Sequence, residues 1–138
     1  EWLWANACED NCLYSEAIIA YQFIEQRGQY SRVHVISRLA LLLAASPDEL
    51  CRNGPEAVAY AKEACQISEW KDWVATSLLA AAYANEGNFA IKYAKITKDL
   101  APTEEKETRQ ERIEMYQANI PYRLKGDFQL KDILSKFD

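Results

Sequence analysis

Apolar residues recur three and four apart along most of the chain, and the stripes break at Gly, Asn, Ser and Pro. In residues 73–102 (WVATSLLAAAYANEGNFAIKYAKITKDLAP) Leu79, Ala80 and Tyr83 mark one helix and Gly87-Asn88 a turn. Ala90, Ala94 and Leu100 then mark a second helix, which Pro102 ends. One stripe per helix, with Ala where the helices cross, predicts two backbones packed closely side by side. A glycine turn between them makes the pair antiparallel.

The rest of the chain reads as copies of this unit or caps on it. Residues 1–10 (EWLWANACED) form the last turns of a first helix, with Trp4 and Cys8 on one face and Asn11 as the stop. Residues 15–27 form a second, with Ala17, Ile18, Tyr21 and Ile24 as its stripe and Gly28 as its C-terminal cap. Ser31 caps a third helix over 32–45, ended by Ser46-Pro47. The loop 46–54 (SPDELCRNG) is the longest irregular piece, and Pro55 then opens a helix carrying Ala57, Val58, Ala61, Ala64 and Cys65. Past the 73–102 pair, Thr103 caps another helix that runs to Ala118, with Glu104 and Glu105 at its positive end. Ile113 and Tyr116 are its contacts with the preceding pair. After Pro121, residues 128–137 form a short amphipathic helix on which Leu130, Ile133, Leu134 and Phe137 share a face.

Spacing turns these helices into a repeat. Ala17 and Leu39 lie 22 residues apart, and so do Ala57 and Leu79. Within the pairs, Cys8 to Ala17 is 9 residues, Leu43 to Ala57 is 14 and Tyr83 to Ala90 is 7. Three pairs thus share a register and differ only between their two helices, where a stack of repeats tolerates insertion.

Leu79-Ala80, Tyr83, Gly87, Phe89, Ala90 and Pro102 together resemble a tetratricopeptide repeat, whose unit is roughly 34 residues. The short Tyr83–Ala90 interval departs from that pattern and predicts a shortened turn. Residues 39–72 (LALLLAASPDELCRNGPEAVAYAKEACQISEWKD) are similar to a bacterial branch of the family, in which such repeats trail a serine/threonine kinase or sit in multidomain proteins. The resemblance covers residues 2–123. It implies an all-α fold: a right-handed solenoid of antiparallel helix pairs, three repeats and a capping helix over 1–123, with 124–138 as an amphipathic tail. It further implies a non-catalytic scaffold whose first helices line a concave groove for a peptide or protein segment. By register, the groove positions are Trp2, Asn6, Glu9, Asp10, His34, Ser37, Leu41, Val74, Ser77, Ala81 and Asn85. The basic clamp with which some members hold a C-terminal carboxylate is not matched. Its places hold Trp2, Val74 and Leu78, and only Asn6 agrees.

Composition narrows the alternatives. The 138 residues, 49% hydrophobic and 27% charged, suit one globular domain with a sizeable core. A net charge of −5 without a basic patch argues against a nucleic-acid partner. The longest apolar run, LALLLAA, is far too short to cross a membrane. No phosphate-binding loop, nucleophile elbow or zinc-protease helix signature occurs, so neither catalysis nor a cofactor is expected. His34 is the only histidine, and its register makes it a groove or surface residue. Cys8, Cys12, Cys51 and Cys65 lack the spacing of a zinc site. Cys8–Cys12 and Cys51–Cys65 are candidate disulfides, against a buried inert thiol at Cys65. The compartment therefore stays open between cytoplasmic and, with paired thiols, extracellular. The run 104–114 (EEKETRQERIE) reads as a solvated face laced with ion pairs. A start at Glu1 rather than Met leads to the expectation of a processed or excised product. Its two ends suggest the alternative role: Trp2 and Trp4 at one, and Leu130, Ile133, Leu134 and Phe137 at the other, could dock head to tail into an oligomer or filament.

Overall fold

Seven α-helices follow one another in the computed structural model, which describes residues 1–28, 30–84 and 87–125, without the side chains at 87 and 88. Among these residues there is no strand, as the stripe pattern predicts. The helices are α1 (Trp2–Asp10), α2 (Tyr14–Arg27), α3 (Arg32–Ala45), α4 (Gly54–Ile67), α5 (Trp73–Ala82), α6 (Gly87–Leu100) and α7 (Lys106–Gln117). Single 3-10 turns, Glu49–Cys51 and Thr103–Glu105, precede α4 and α7. Packing follows chain order: α1 on α2, α3 on α4 and α5 on α6. Contacts of α3 with α2 and α5, and of α4 with α5, join the pairs, while α7 closes on α6.

The second helices carry the repeat most plainly. Their fourth, eighth and eleventh residues are Ala17, Tyr21 and Ile24 in α2, Ala57, Ala61 and Ala64 in α4, and Ala90, Ala94 and Thr97 in α6, all buried. Three core clusters are strung along the chain from these stripes. Ala5, Cys8, Tyr21, Ile24, Leu39 and Leu42 belong to the first. Ile36, Ala40, Ala61, Ala64, Cys65 and Leu79 make the second, and Ala80, Ala90, Ala94, Ile113 and Tyr116 the third. The two buried threonines satisfy each other: Thr97 Oγ1 lies 2.8 Å from Thr76 Oγ1, which reaches the Trp73 carbonyl at 3.0 Å.

The helix ends depart from the sequence reading in several places. Gly87-Asn88 does not form a turn but opens α6. The residues missing from the Tyr83–Ala90 interval come out of helix α5, which ends at Ala82 and has 10 residues where α3 has 14. Ser31 stands at the start of α3 without a side-chain capping bond; its carbonyl accepts from the His34 and Val35 N–H groups at 3.1 and 3.3 Å. Thr103 does not cap α7 either, because the 3-10 turn intervenes. Among the described residues, side-chain caps are supplied by Asp48, which accepts from Leu50 N–H at 3.0 Å ahead of the first 3-10 turn, by Asn53, which accepts from Glu56 N–H at 3.2 Å, and by Asp72, which accepts from Val74 N–H at 2.9 Å. Gly28 takes the expected left-handed conformation, φ 65°. Trp4 does not follow Cys8 inward: Cys8 is buried while Trp4 is 63% exposed.

Residues 121–125 cross from the third cluster back to the first. Tyr122 packs on the former and Leu124 on the latter. Leu124 N–H donates to the Ala45 carbonyl at 2.7 Å, Arg123 Nη1 to the Ala44 carbonyl at 3.3 Å, and the Tyr14 hydroxyl to the Lys125 carbonyl. The predicted helix over 128–137, with Leu130, Ile133, Leu134 and Phe137, lies outside the described residues.

Alanine at the crossings sets how closely the helices approach. Ala61→Leu, at a position with no exposed surface, is expected to lower unfolding free energy in urea by about 1–3 kcal/mol or more through overpacking. A loss below a few tenths would mean the α3–α4–α5 junction has room to spare.

Candidate functional site

A cleft of about 790 Å³ opens where α1, α3 and the start of α5 come together. Trp2 and Asn6 of α1 form one wall; His34, Ser37 and Arg38 of α3 run along the floor; Asp72 and Val74 close the far side. Tyr30 and Ser31, in the link between α2 and α3, and Val33 complete it. Three separate helices must pack in register to make this surface, so its shape depends on the core beneath.

A polar network fixes that wall from below. The Tyr21 hydroxyl lies 2.7 Å from Asn6 Oδ1 and 2.8 Å from Glu9 Oε2, with one proton to share between them. Burial, then the hydrogen bond to Glu9, pushes the phenol pKa far above its usual value, so it stays a neutral donor. The other oxygen of Glu9 pairs with Arg38 Nη2, which ties α1 to α3. Arg38 Nε is buried without a partner. Above the network, Trp2 stands edge-on to Tyr21 at 5.4 Å between ring centroids and tilted over Tyr30 at 5.3 Å.

The register-derived positions divide. Trp2, Asn6, His34, Ser37 and Val74 do meet in the cleft. Glu9 lies beneath it, committed to Tyr21 and Arg38. Asp10 is exposed on α1 away from the cleft. Leu41 packs against the second cluster, and Ala81 is buried in the first. Ser77 faces a separate small hollow with Thr97, Arg109 and Arg112. Asn85 lies outside the described residues. Tyr30, Ser31, Val33, Arg38 and Asp72 were not foreseen as lining it. For Arg38 the signal was present: the 22-residue register sets it level with Leu78, so a cation replaces a buried apolar residue.

The cysteines take no part in the cleft. All four are free thiols, so neither candidate pair is bonded. Burial pushes the Cys65 thiol up to about 11, so it stays protonated at neutral pH, an inert core residue. Among the described residues, no group of three or more His, Cys, Asp or Glu could hold a metal ion, and no helix is long and apolar enough to cross a membrane.

On the outer side of α1 and α2, Trp4, Ile19 and Phe23 line a second depression with Glu1, Glu16 and Ala20. Ile19 is 66% exposed and Phe23 46%, with the Arg27 guanidinium 5.1 Å above the Phe23 ring.

No protein-family model matches the chain, and neither does any curated protein or solved structure.

Tyr21→Phe removes the hydroxyl from between Asn6 and Glu9 while keeping the ring. Unfolding in urea is expected to show a loss of about 1–3 kcal/mol, the cost of leaving buried acceptors unpaired. An unchanged midpoint would show that the network contributes nothing to holding α1 on α2.

Proposed function

We propose that the chain is a non-catalytic protein-interaction scaffold, a tetratricopeptide-like solenoid that holds a segment of another protein in the cleft between α1, α3 and α5. The observation that carries this reading is the cleft itself. It is open, several residues long, and mixes aromatic and aliphatic surface at Trp2, Tyr30, Val33 and Val74 with hydrogen-bonding groups at Asn6, His34 and Ser37. Such a mixture suits an extended segment held by apolar contact and a few polar anchors. Nothing in the cleft suits chemistry. Its single histidine is exposed and without a carboxylate or nucleophile paired to it among the described residues.

The test is selection of short peptides from a random display library on the intact chain, followed by fluorescence anisotropy. Val74→Glu, at a residue already 44% exposed, should weaken the selected peptides about tenfold or more by setting an unpaired charge against apolar contact. Glu107→Lys, on exposed α7 surface, should leave them unchanged. Peptides indifferent to Val74→Glu would move the binding surface elsewhere.

A second reading, self-assembly, is favoured by the outer depression. Trp4, 63% exposed, stands beside Ile19 and Phe23, an apolar cluster of the kind that marks an interface. The partner face proposed for it, Leu130, Ile133, Leu134 and Phe137, lies outside the described residues. On this reading, sedimentation velocity over a concentration series shows growing species that Trp4→Asp with Ile19→Asp returns to monomer. A monomer at every concentration removes it.

A further inference from the structure

The hollow beneath Ser77 is built differently from the cleft. Arg109 and Arg112, one turn apart on α7, point into it beside Ser77, Ala80, Ala94 and Thr97, around a void of about 10 Å³. A void of that size takes a single oxygen atom. Only 13% of the Arg109 side chain is exposed, yet its nearest carboxylate oxygen, on Glu105, is 3.6 Å away, beyond hydrogen-bond reach. Arg109 Nε is buried without a partner.

What holds these two cations in place is aromatic. The Arg109 guanidinium sits 5.2 Å over the Trp73 ring, and that of Arg112 sits 3.8 Å over Tyr122. A ring engages a guanidinium by its face and leaves the in-plane N–H donors free. Two like charges share one site with a single carboxylate, at the edge of a hole sized for oxygen, and the buried Arg109 Nε–H lacks an acceptor. Burial and the neighbouring Arg112 lower the Arg109 pKa, which an added anion would reverse. The solvated face expected over 104–114 is thus interrupted at these two arginines.

We propose that Arg109 and Arg112, with Ser77, form a binding site for an oxyanion, a carboxylate or a phosphate, one of whose oxygens enters the hollow. Fork-shaped donors on two guanidiniums match either group. The site is independent of the cleft reading, because small anions alone test it.

The experiment uses the intact chain at pH 7 and fixed ionic strength. Sodium phosphate and sodium acetate are titrated separately, with sodium chloride as the screening control, while the arginine Nε–H resonances are followed by NMR. Saturable shifts of Arg109 and Arg112 are expected, half-complete at roughly 1–10 mM. A response to phosphate alone identifies a phosphate site, and a response to acetate a carboxylate site. Arg109→Gln with Arg112→Gln, followed through the backbone amides around the hollow, should abolish the saturable shifts that those amides show in the unaltered chain, while Arg27→Gln, beside Phe23 on α2, should not. Should the double variant lose helicity by circular dichroism, Arg112→Gln alone is read instead and should weaken half-saturation about fivefold or more. Shifts that stay linear, or that chloride reproduces, overturn the proposal.

Discussion

The close approach of helix backbones at alanine is the constraint on which this structure depends. Ala57, Ala61 and Ala64 turn one face of α4 into a shallow groove in which α3 and α5 can both lie. A helix faced with leucines would hold its neighbours further off, and α3 and α5 would then lie at a different separation. That separation is what sets His34 and Ser37 of α3 level with Val74 of α5 in the cleft. Packing and site geometry are one quantity here, measured at two depths.

The chain turns its corners largely without glycine. After α1, α4 and α7 the reversal is made by Cys12, Glu69 and Asn119, all at positive φ. Each is locked by the same pair of bonds: Leu13 N–H to Cys8 and Cys12 N–H to Glu9, Trp70 to Cys65 and Glu69 to Gln66, Ile120 to Met115 and Asn119 to Tyr116. Left-handed backbone costs an L-residue roughly 1–2 kcal/mol. The paired bonds satisfy carbonyls that the helix end would otherwise leave open, and they offset that cost.

Much of this was legible in the residues, and the failures have physical causes. The second-helix stripes were plain, because a buried position admits few residue types and the period is fixed. Gly28 announced its corner; Cys12 and Glu69 did not, since nothing in those side chains favours left-handed backbone. Gly87 misled for the opposite reason: glycine is permissive, and the same residue that ends one helix can begin another. Ser31 and Thr103 were sensible caps by type, but capping is decided by local backbone direction, and Asn53 and Asp72 had it. In the cleft, register found Trp2, Asn6, His34, Ser37 and Val74. It could not find that Glu9 would be consumed by Tyr21 and Arg38, because that depends on which rotamers three helices present to one another.

The arginines show why charge alone is a poor guide to where a partner binds. Arg38 stands in the larger opening, yet Glu9 already takes part of its edge, and Glu9 is held in turn by Tyr21. An incoming anion there would have to displace a carboxylate fixed by two partners. Arg109 and Arg112 lie over the smaller opening, where aromatic faces hold them and the buried Arg109 Nε–H has no acceptor. A guanidinium gripped by its face is positioned without being neutralised. The net charge of −5 conceals this distinction. A mildly acidic chain can still keep two cations unspent, provided that packing rather than pairing holds them.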